Sequence, residues 1–333
     1  MISTNPVHTD RNCIVCSDKP AWLLIGAAFV VMAVSVLSVE GAAKQDDHGK
    51  NKKIAIVTTY FAARSHANSI GTHFFIGFPL DGELIKPRVE VASLYIDQPA
   101  PHEIDYSTAG HWDVGERLAE RHGATVYDTI AGALTLGGED LAVDGVLYIG
   151  EHGDYRRSRL GQKMYPRMHH LEQIFRVFDW SDRSVPVFCD KHLSYSWLDS
   201  KWVYDRAKEL DVPMIAGSSL PVAWRDPPLD HPLGADITEA VAIGHGSFDA
   251  YGFHTLEMLQ CMVERRKGGE TGVASVQTLR GDAVWEAADA GRFSWSLVRA
   301  ASDVVENKRG QTENMSEKAR NPIAVIIQYR DGL

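Results

Sequence analysis

The 333-residue chain predicts an α/β protein: a Rossmann-like doubly wound parallel sheet followed by a smaller α+β domain. Three observations lead there. Short apolar, β-branched runs alternate with segments of helical periodicity, the arrangement that lays parallel strands between two layers of helices. A proline-rich segment from Leu220 to Gly234, carrying Pro221, Pro227, Pro228 and Pro232, breaks the alternation and can continue neither a helix nor a central strand. With 44% hydrophobic and 23% charged residues, the chain can bury full cores, and its length suits two domains of roughly 100–200 residues each.

Residues 1–43 stand apart from the body. Ala21 to Val39 is an uninterrupted run of apolar and small residues after Lys19, followed by Gly41-Ala42-Ala43. A small-residue flank of that kind suits signal peptidase, and the run is also long enough, at about 1.5 Å per residue, to cross a bilayer uncleaved. The expectation is an exported, periplasmic or membrane-anchored protein. Lys44, Lys50, Lys52 and Lys53 follow the run while only Arg11 and Lys19 precede it, so a cytoplasmic-facing body stays open. No arginine pair precedes the run, which points to crossing in the unfolded state. Cys13 and Cys16 form a lone C-x-x-C with no second ligand pair, best read as chance. Cys189 and Cys261 suit buried apolar roles.

In the first domain, residues 44–219, strands are expected at Lys53–Thr58, Val89–Tyr95, Thr125–Tyr127, Gly145–Ile149, Val185–Phe188 and Val212–Ala216. Helices are expected near Ser65–Phe75, Val114–His122, Ile130–Leu134, Met168–Phe178 and Ser196–Leu210. The last places Trp197, Val203, Ala207 and Leu210 at helical spacing, which reads Trp197 as core. In the second domain, residues 220–333, the order is a strand at Asp236–Ile243, a helix at Phe253–Arg266, a strand at Val273–Leu279, two shorter helices up to Val305, a polar stretch at Glu306–Asn321 and a strand at Ile323–Tyr329. The chain stops just after that strand, so a second-domain sheet truncated at the C-terminus is one expectation.

A formal net charge of -10 and a pI near 5.8, with no long Lys/Arg cluster, exclude a nucleic-acid surface. Ligands of open α/β sheets bind beyond the carboxyl ends of the strands. Glu151, His152, Asp154 and Tyr155 follow the fourth strand, His192 the fifth, and Ser218 and Ser219 the sixth, so they converge on one rim. The first strand turns into its helix through Thr58-Thr59-Tyr60-Phe61-Ala62-Ala63-Arg64-Ser65-His66. A dinucleotide turn would carry glycines there, so that a diphosphate can approach the backbone. Here Thr58, Tyr60 and Ala63 stand instead, and a tyrosine side chain would occupy the phosphate's place.

With Leu94-Tyr95-Ile96-Asp97 ending the second strand, Ala124-Thr125-Val126-Tyr127-Asp128 leading towards Val143-Asp144-Gly145-Val146, Asp190-Lys191-His192 after the fifth strand, and Gly252-Phe253-His254-Thr255-Leu256-Glu257 opening a later helix, the chain resembles a divergent member of the glucose-fructose oxidoreductase/inositol dehydrogenase (Gfo/Idh/MocA) family over about Lys53 to Gly281. The Arg64-Ser65-His66 tail of the turn matches that family; its glycines do not. In the Asp190-Lys191-His192 triplet the family's lysine survives and its proline does not. The resemblance implies NAD or NADP as cofactor, with Thr58, Tyr60, Ala63 and His66 at the turn, Asp97 at the ribose and Glu151 after the fourth strand. It implies a sugar-like substrate, a homo-oligomer, Lys191 near the nicotinamide and His254 as proton acceptor from the substrate hydroxyl.

The chemistry suits those types. Oxidising a carbinol removes a proton from oxygen while hydride leaves carbon; an imidazole near its usual pKa of ~6.5 takes the proton, and an ammonium stabilises the developing alkoxide. Glu257, one helical turn on, can orient the imidazole. The plain alternatives are a solvated strand-end lysine and a histidine satisfied at a helix start. Two further classes stay open. Glu151, His152, His192 and His245 or His254 include ligand types for zinc or manganese, without a metal-site spacing. A cofactor-free carbohydrate-binding protein could use Tyr60, Phe61, Tyr155 or Trp224 as a stacking floor. His169 and His170 begin a helix, where one could face the cleft.

Overall fold

The computed structural model describes residues 51–102, 111–226, 228–304, 315–319 and 321–333. The expected leader or anchor, the Cys13/Cys16 pair, Pro227 and most of the 306–321 stretch lie outside them. Among the described residues no helix is long and apolar enough to cross a membrane.

Strand β1 (Lys52–Thr58) buries every residue from Ile54 to Thr58. Successive side chains point to opposite faces. Ala55 and Val57 join one core with Val146, Tyr148, Leu171, Ile174, Phe175 and Phe178. Ile54 and Ile56 join another with Phe61, Ala67, Leu118, Leu147 and Ile149. An apolar strand buried on both faces requires helices on both, and they are present: α1 (His66–Ile76) and α2 (Gly115–His122) carry residues of the second core; α3 (Ile130–Thr135), α4 (Arg167–Trp180) and α5 (Trp197–Glu209) carry residues of the first. Each fully buried Leu, Ile or Phe in these layers contributes about 1.5–3 kcal/mol.

The sheet also holds β4 (Val89–Ile96), β5 (Thr125–Val126), β6 (Gly145–Ile149), β7 (Val187–Cys189) and β8 (Met214–Ala216). Its order is β5-β4-β1-β6-β7-β8, every pairing parallel. Counting only these strands, that is 3-2-1-4-5-6, the doubly wound order whose crevice opens where the order reverses, between β1 and β6. After β8 come a π-helical turn at Phe248–Gly252, α6 (Phe253–Val263), β9 (Val273–Arg280), α7 (Asp282–Asp289), α8 (Trp295–Val304), α9 (Met315–Lys318) and β10 (Ile323–Tyr329), with β9 and β10 antiparallel.

Three sequence expectations change. Residues 236–243 form no strand; the neighbouring Ala235 makes one isolated bridge with Arg266, while β9 and β10 pair with each other, so the segment has no ladder to join. Trp197 is 76% exposed: it is the first residue of α5, and the buried stripe begins at Val203. An unpredicted hairpin joins β2 (Phe78–Leu80) to β3 (Glu83–Ile85). Its loop is Asp81-Gly82, both at positive φ (50° and 84°), as a two-residue turn between right-twisted strands requires. Cys189 is buried and Cys261 half-buried, both as free thiols.

Candidate functional site

The parallel strands bring the residues that follow them to one rim. Thr58 pairs with Ile96 and Ile149, and Cys189 with Tyr148 and Ala216. Asp97, Thr59, Gly150, Asp190 and Gly217 follow next, with Glu151, Lys191 and Ser218 one residue further out.

Lys191 is only 5% exposed, which removes the solvated-lysine alternative. Its ammonium donates to His254 Nε2 at 2.7 Å and lies 3.8 Å from Glu151 Oε2. His254 Nδ1 is 2.6 Å from Ser218 Oγ, which also accepts the Leu220 N–H at 3.1 Å. With the ammonium donating into Nε2, the ring proton belongs on Nδ1, donated to Ser218. Burial, and then the charge of Lys191, hold the His254 imidazole below its usual pKa. Burial also lowers Lys191, against the pull of Glu151 and Asp190. The imidazole is thus held neutral beside the ammonium, the form that can accept a proton. Glu257 Oε2 accepts the Ser218 N–H at 3.5 Å, so it supports the serine rather than the imidazole.

Glu151 is anchored by Arg167, the first residue of α4 and 2% exposed. Arg167 Nη2 donates to Glu151 Oε2 at 2.7 Å, Nε to Gly150 O at 2.8 Å and Nη1 to His192 Nδ1 at 2.9 Å. A Cβ on Gly150 would meet Tyr148 Oη at 2.7 Å and Arg167 Cγ at 2.9 Å, so glycine makes room for the arginine stem. His192 must be neutral to accept; burial, then the Arg167 charge, lower its pKa to about 4. Asp190 lies beneath: Oδ1 accepts the Gly150 N–H at 3.0 Å, and Oδ2 is 2.7 Å from His66 Nδ1, tying the start of α1 to the end of β7.

The polar groups of the turn after β1 are taken up by the surrounding chain. Thr58 Oγ1 donates to Ile149 O at 2.9 Å and Thr59 Oγ1 to Glu151 O at 2.8 Å. The N–H groups of Thr59, Ala63 and Ser65 donate to Ile149 O, Trp112 O and Ala62 O. Those of Tyr60 and Arg64 donate to Thr58 Oγ1 and Asn68 Oδ1. Phe61 is 1% exposed beneath Gly115, where a Cβ would come within 2.7 Å of its ring. Tyr60 is half-buried, its hydroxyl 3.5 Å from His111 O.

The loop after β6 then crosses the end of β1 towards β4, bent back by His152 (φ 72°) and Gly153 (φ 99°). Asp154 N–H donates to Gln98 Oε1 at 2.7 Å, and Gln98 Nε2 donates to Asp154 O at 3.1 Å. Tyr155 OH donates to Asp97 Oδ2 at 2.6 Å, and Tyr95 OH to Asp97 Oδ1 at 3.0 Å. His170 Nε2 lies 3.6 Å from Asp97 Oδ1. Contact with His170, and then the tyrosine hydroxyls, lower the Asp97 carboxyl to about 2.

No protein-family model matches the sequence, and no curated protein matches it. Among solved structures, the chain is similar to a protein from Bordetella bronchiseptica RB50 assigned as a dehydrogenase (11% identity, TM-score 0.44, covering 85% of this chain and 58% of that one). It is similar to GenD2 of gentamicin A biosynthesis, solved with NAD (16%, 0.40, 86% and 64%). It is also similar to a Gfo/Idh/MocA family oxidoreductase from Vibrio cholerae (17%, 0.31, 51% and 39%). The chain thus spans 58% and 64% of the length of the first two.

Lys191, His254 and Glu151 come together, with His66 one contact away through Asp190. Thr58 and Ala63 are buried structural members of the β1 turn, Tyr60 is a half-buried member of it with its hydroxyl directed to His111 O, and Asp97 belongs to the tyrosine–histidine cluster. His170 is the histidine of the 169–170 pair that turns inward, towards Asp97. His245 is exposed beside Tyr251, and Trp224 is fully exposed, so the proposed aromatics form no common floor with the buried Phe61. Among the described residues no group of three or more His, Cys, Asp or Glu side chains is placed to hold a metal ion. For a dinucleotide, the rim near Lys191 has suitable groups; at the β1 turn the N–H groups of Thr59, Tyr60, Ala63, Arg64 and Ser65 donate within the chain and the 150–155 loop is tied to Asp97 and Gln98, so a diphosphate there requires that loop to move aside. Sequence reasoning missed Arg167. Its spacing with His170, Leu171, Ile174 and Phe178 puts it on the buried stripe of α4, a signal that was there to be read.

Proposed function

We propose that the chain is an NAD(P)-dependent oxidoreductase of the Gfo/Idh/MocA type acting on a hydroxyl of a sugar-like or polyol substrate, with Lys191 and His254 at the reaction centre. The observation that carries this reading is the 2.7 Å contact between Lys191 Nζ and His254 Nε2, made across 63 residues at the carboxyl rim of a 3-2-1-4-5-6 sheet. The nicotinamide, when bound, supplies the hydride acceptor. A substrate hydroxyl that replaces the direct Lys191–His254 hydrogen bond donates its proton to Nε2 and accepts a hydrogen bond from Nζ, so the alkoxide develops beside a cation. Ser218 holds the ring in the tautomer that leaves Nε2 unprotonated, and Glu151, itself fixed by Arg167, keeps the ammonium in place.

The second reading, a cofactor-free carbohydrate-binding protein, is favoured by the closed β1 turn and the 150–155 loop across it. One titration separates the two. Isothermal calorimetry with NADH and NADPH is run on the wild type and on Gln98→Ala/Tyr155→Phe, which frees the loop. The oxidoreductase reading expects saturable binding that tightens in the variant, because a competent state populated only in part weakens the apparent affinity. No heat in either protein at millimolar cofactor leaves the cofactor-free reading.

A further inference from the structure

Beside Lys191 a pocket of ≈ 190 Å³ opens, walled by the 157–167 segment, the start of the loop after β7 and the π-helical turn before α6. Its size is below the roughly 300 Å³ at which drug-sized ligand sites begin, so it suits a single small molecule. Four cationic side chains line it, Arg157, Lys163, Arg167 and Lys191, against two carboxylates, Glu151 and Asp249. The carboxylates are already committed. Glu151 Oε2 is 2.7 Å from Arg167 Nη2 and 3.8 Å from Lys191 Nζ. Asp249 Oδ2 lies 3.3 Å from Arg157 Nη1 and accepts the Lys163 N–H at 2.9 Å. Lys163 Nζ has no carboxylate partner among the described residues. It donates to Gly153 O at 2.7 Å and sits 5.5 Å from the centre of the Tyr165 ring, which fixes the ammonium at the wall without neutralising it. Arg157 is held by Gly161 O at 2.6 Å and is 60% exposed along its side chain, so its single ion pair leaves donors facing solvent. On a chain whose formal net charge is -10, a local excess of cations in a concave wall concentrates anions there.

We infer that this pocket binds the anionic group, carboxylate or phosphate, of a small polyhydroxylated substrate, with Lys163 and Arg157 as the recognising cations and Lys191 at the reacting end. This specifies the substrate class of the oxidoreductase proposed above, and its test is independent of hydride transfer because no cofactor is added. Affinities of the full chain for glucuronate, glucose 6-phosphate and neutral glucose are measured by calorimetry at low and high salt, and again for Lys163→Gln and Arg157→Gln, with circular dichroism reporting the fold. The expected result is at least tenfold tighter binding of one charged sugar than of glucose, weakened by salt and reduced tenfold or more in folded Lys163→Gln. Preference for glucuronate names a carboxylate, and preference for glucose 6-phosphate a phosphate. Equal binding of charged and neutral sugars, binding of none of the three at 10 mM-scale concentrations (roughly the weak end of specific affinity), or a charge preference unchanged in both folded variants would overturn the inference. Charged-sugar binding without any NAD(P)H signal would leave it standing while removing the oxidoreductase reading.

Discussion

The ends of β7 and β1 lie on the same sheet edge, yet one is a polar cavity and the other is sealed. After β7, Asp190, Lys191 and His192 each meet a partner from a different element: His66 of α1, His254 of α6 and Arg167 of α4. After β1, the partners are largely backbone carbonyls, of Ile149, Glu151 and Trp112, which use up the turn's donors, and Phe61 fills the space under Gly115. The fold supplies an edge where ligands can bind; whether a given strand end is a site depends on whether its polar groups face a cavity or each other.

The largest expected effect tests the sealed region. Phe61→Ala should cost about 3–5 kcal/mol in chemical denaturation, as for a fully buried aromatic in a packed core. A loss below ~1 kcal/mol would mean the turn is loosely packed and the contrast between the two ends fails. Next, His254→Ala should lower turnover of a competent substrate by about 10²–10⁴-fold while leaving the melting temperature within a few degrees. Unchanged turnover would remove the reaction centre from β7.

A third expectation concerns pH. The folded pKa of His192, about 4, lies below the unfolded value of ~6.5, so its contribution is full above pH 6.5 and is lost as pH falls from about 6.5 towards 4. Allowing for partial exposure, the loss is on the order of 2–3 kcal/mol. His192→Gln, which keeps an acceptor for Arg167, should flatten the stability profile in that window; an unchanged slope would show that the histidine is not held neutral. The corresponding loss from Asp97 falls lower, between about pH 4 and 2, so the two are separable in an acid denaturation series. The smallest effect is expected from Tyr155→Phe, about 1 kcal/mol for one hydrogen bond, seen as faster amide exchange in the 151–155 loop. Unaltered exchange would mean that the contacts from Gln98, Thr59 and Lys163 hold the loop without Tyr155.

Much of the fold was legible because β-branched runs and turn residues mark strand ends locally; β6 and β10 begin and end at the residues the sequence pattern gives. The site was legible only in its pieces. Lys191 and His254 could be named from motif order, but their contact depends on where α6 returns to the rim. Phe61 reads as one more apolar residue until Gly115 is seen above it. The path of the 150–155 loop depends on a positive φ at His152, a non-glycine position that no residue pattern announces. Arg167 is legible in its position on the apolar stripe of α4, but the carboxylate and the histidine that it holds, Glu151 and His192, come from other elements and show only in the fold.

The pairing of Lys191 with His254 is tested most directly by ¹⁵N NMR of the imidazole through a pH titration, in the wild type and in Lys191→Met. The account expects a neutral ring protonated on Nδ1 at pH 7, a titration midpoint below ~6.5, and an upward shift of that midpoint when the ammonium is removed. A midpoint at the ordinary imidazole value that does not move in Lys191→Met would contradict it.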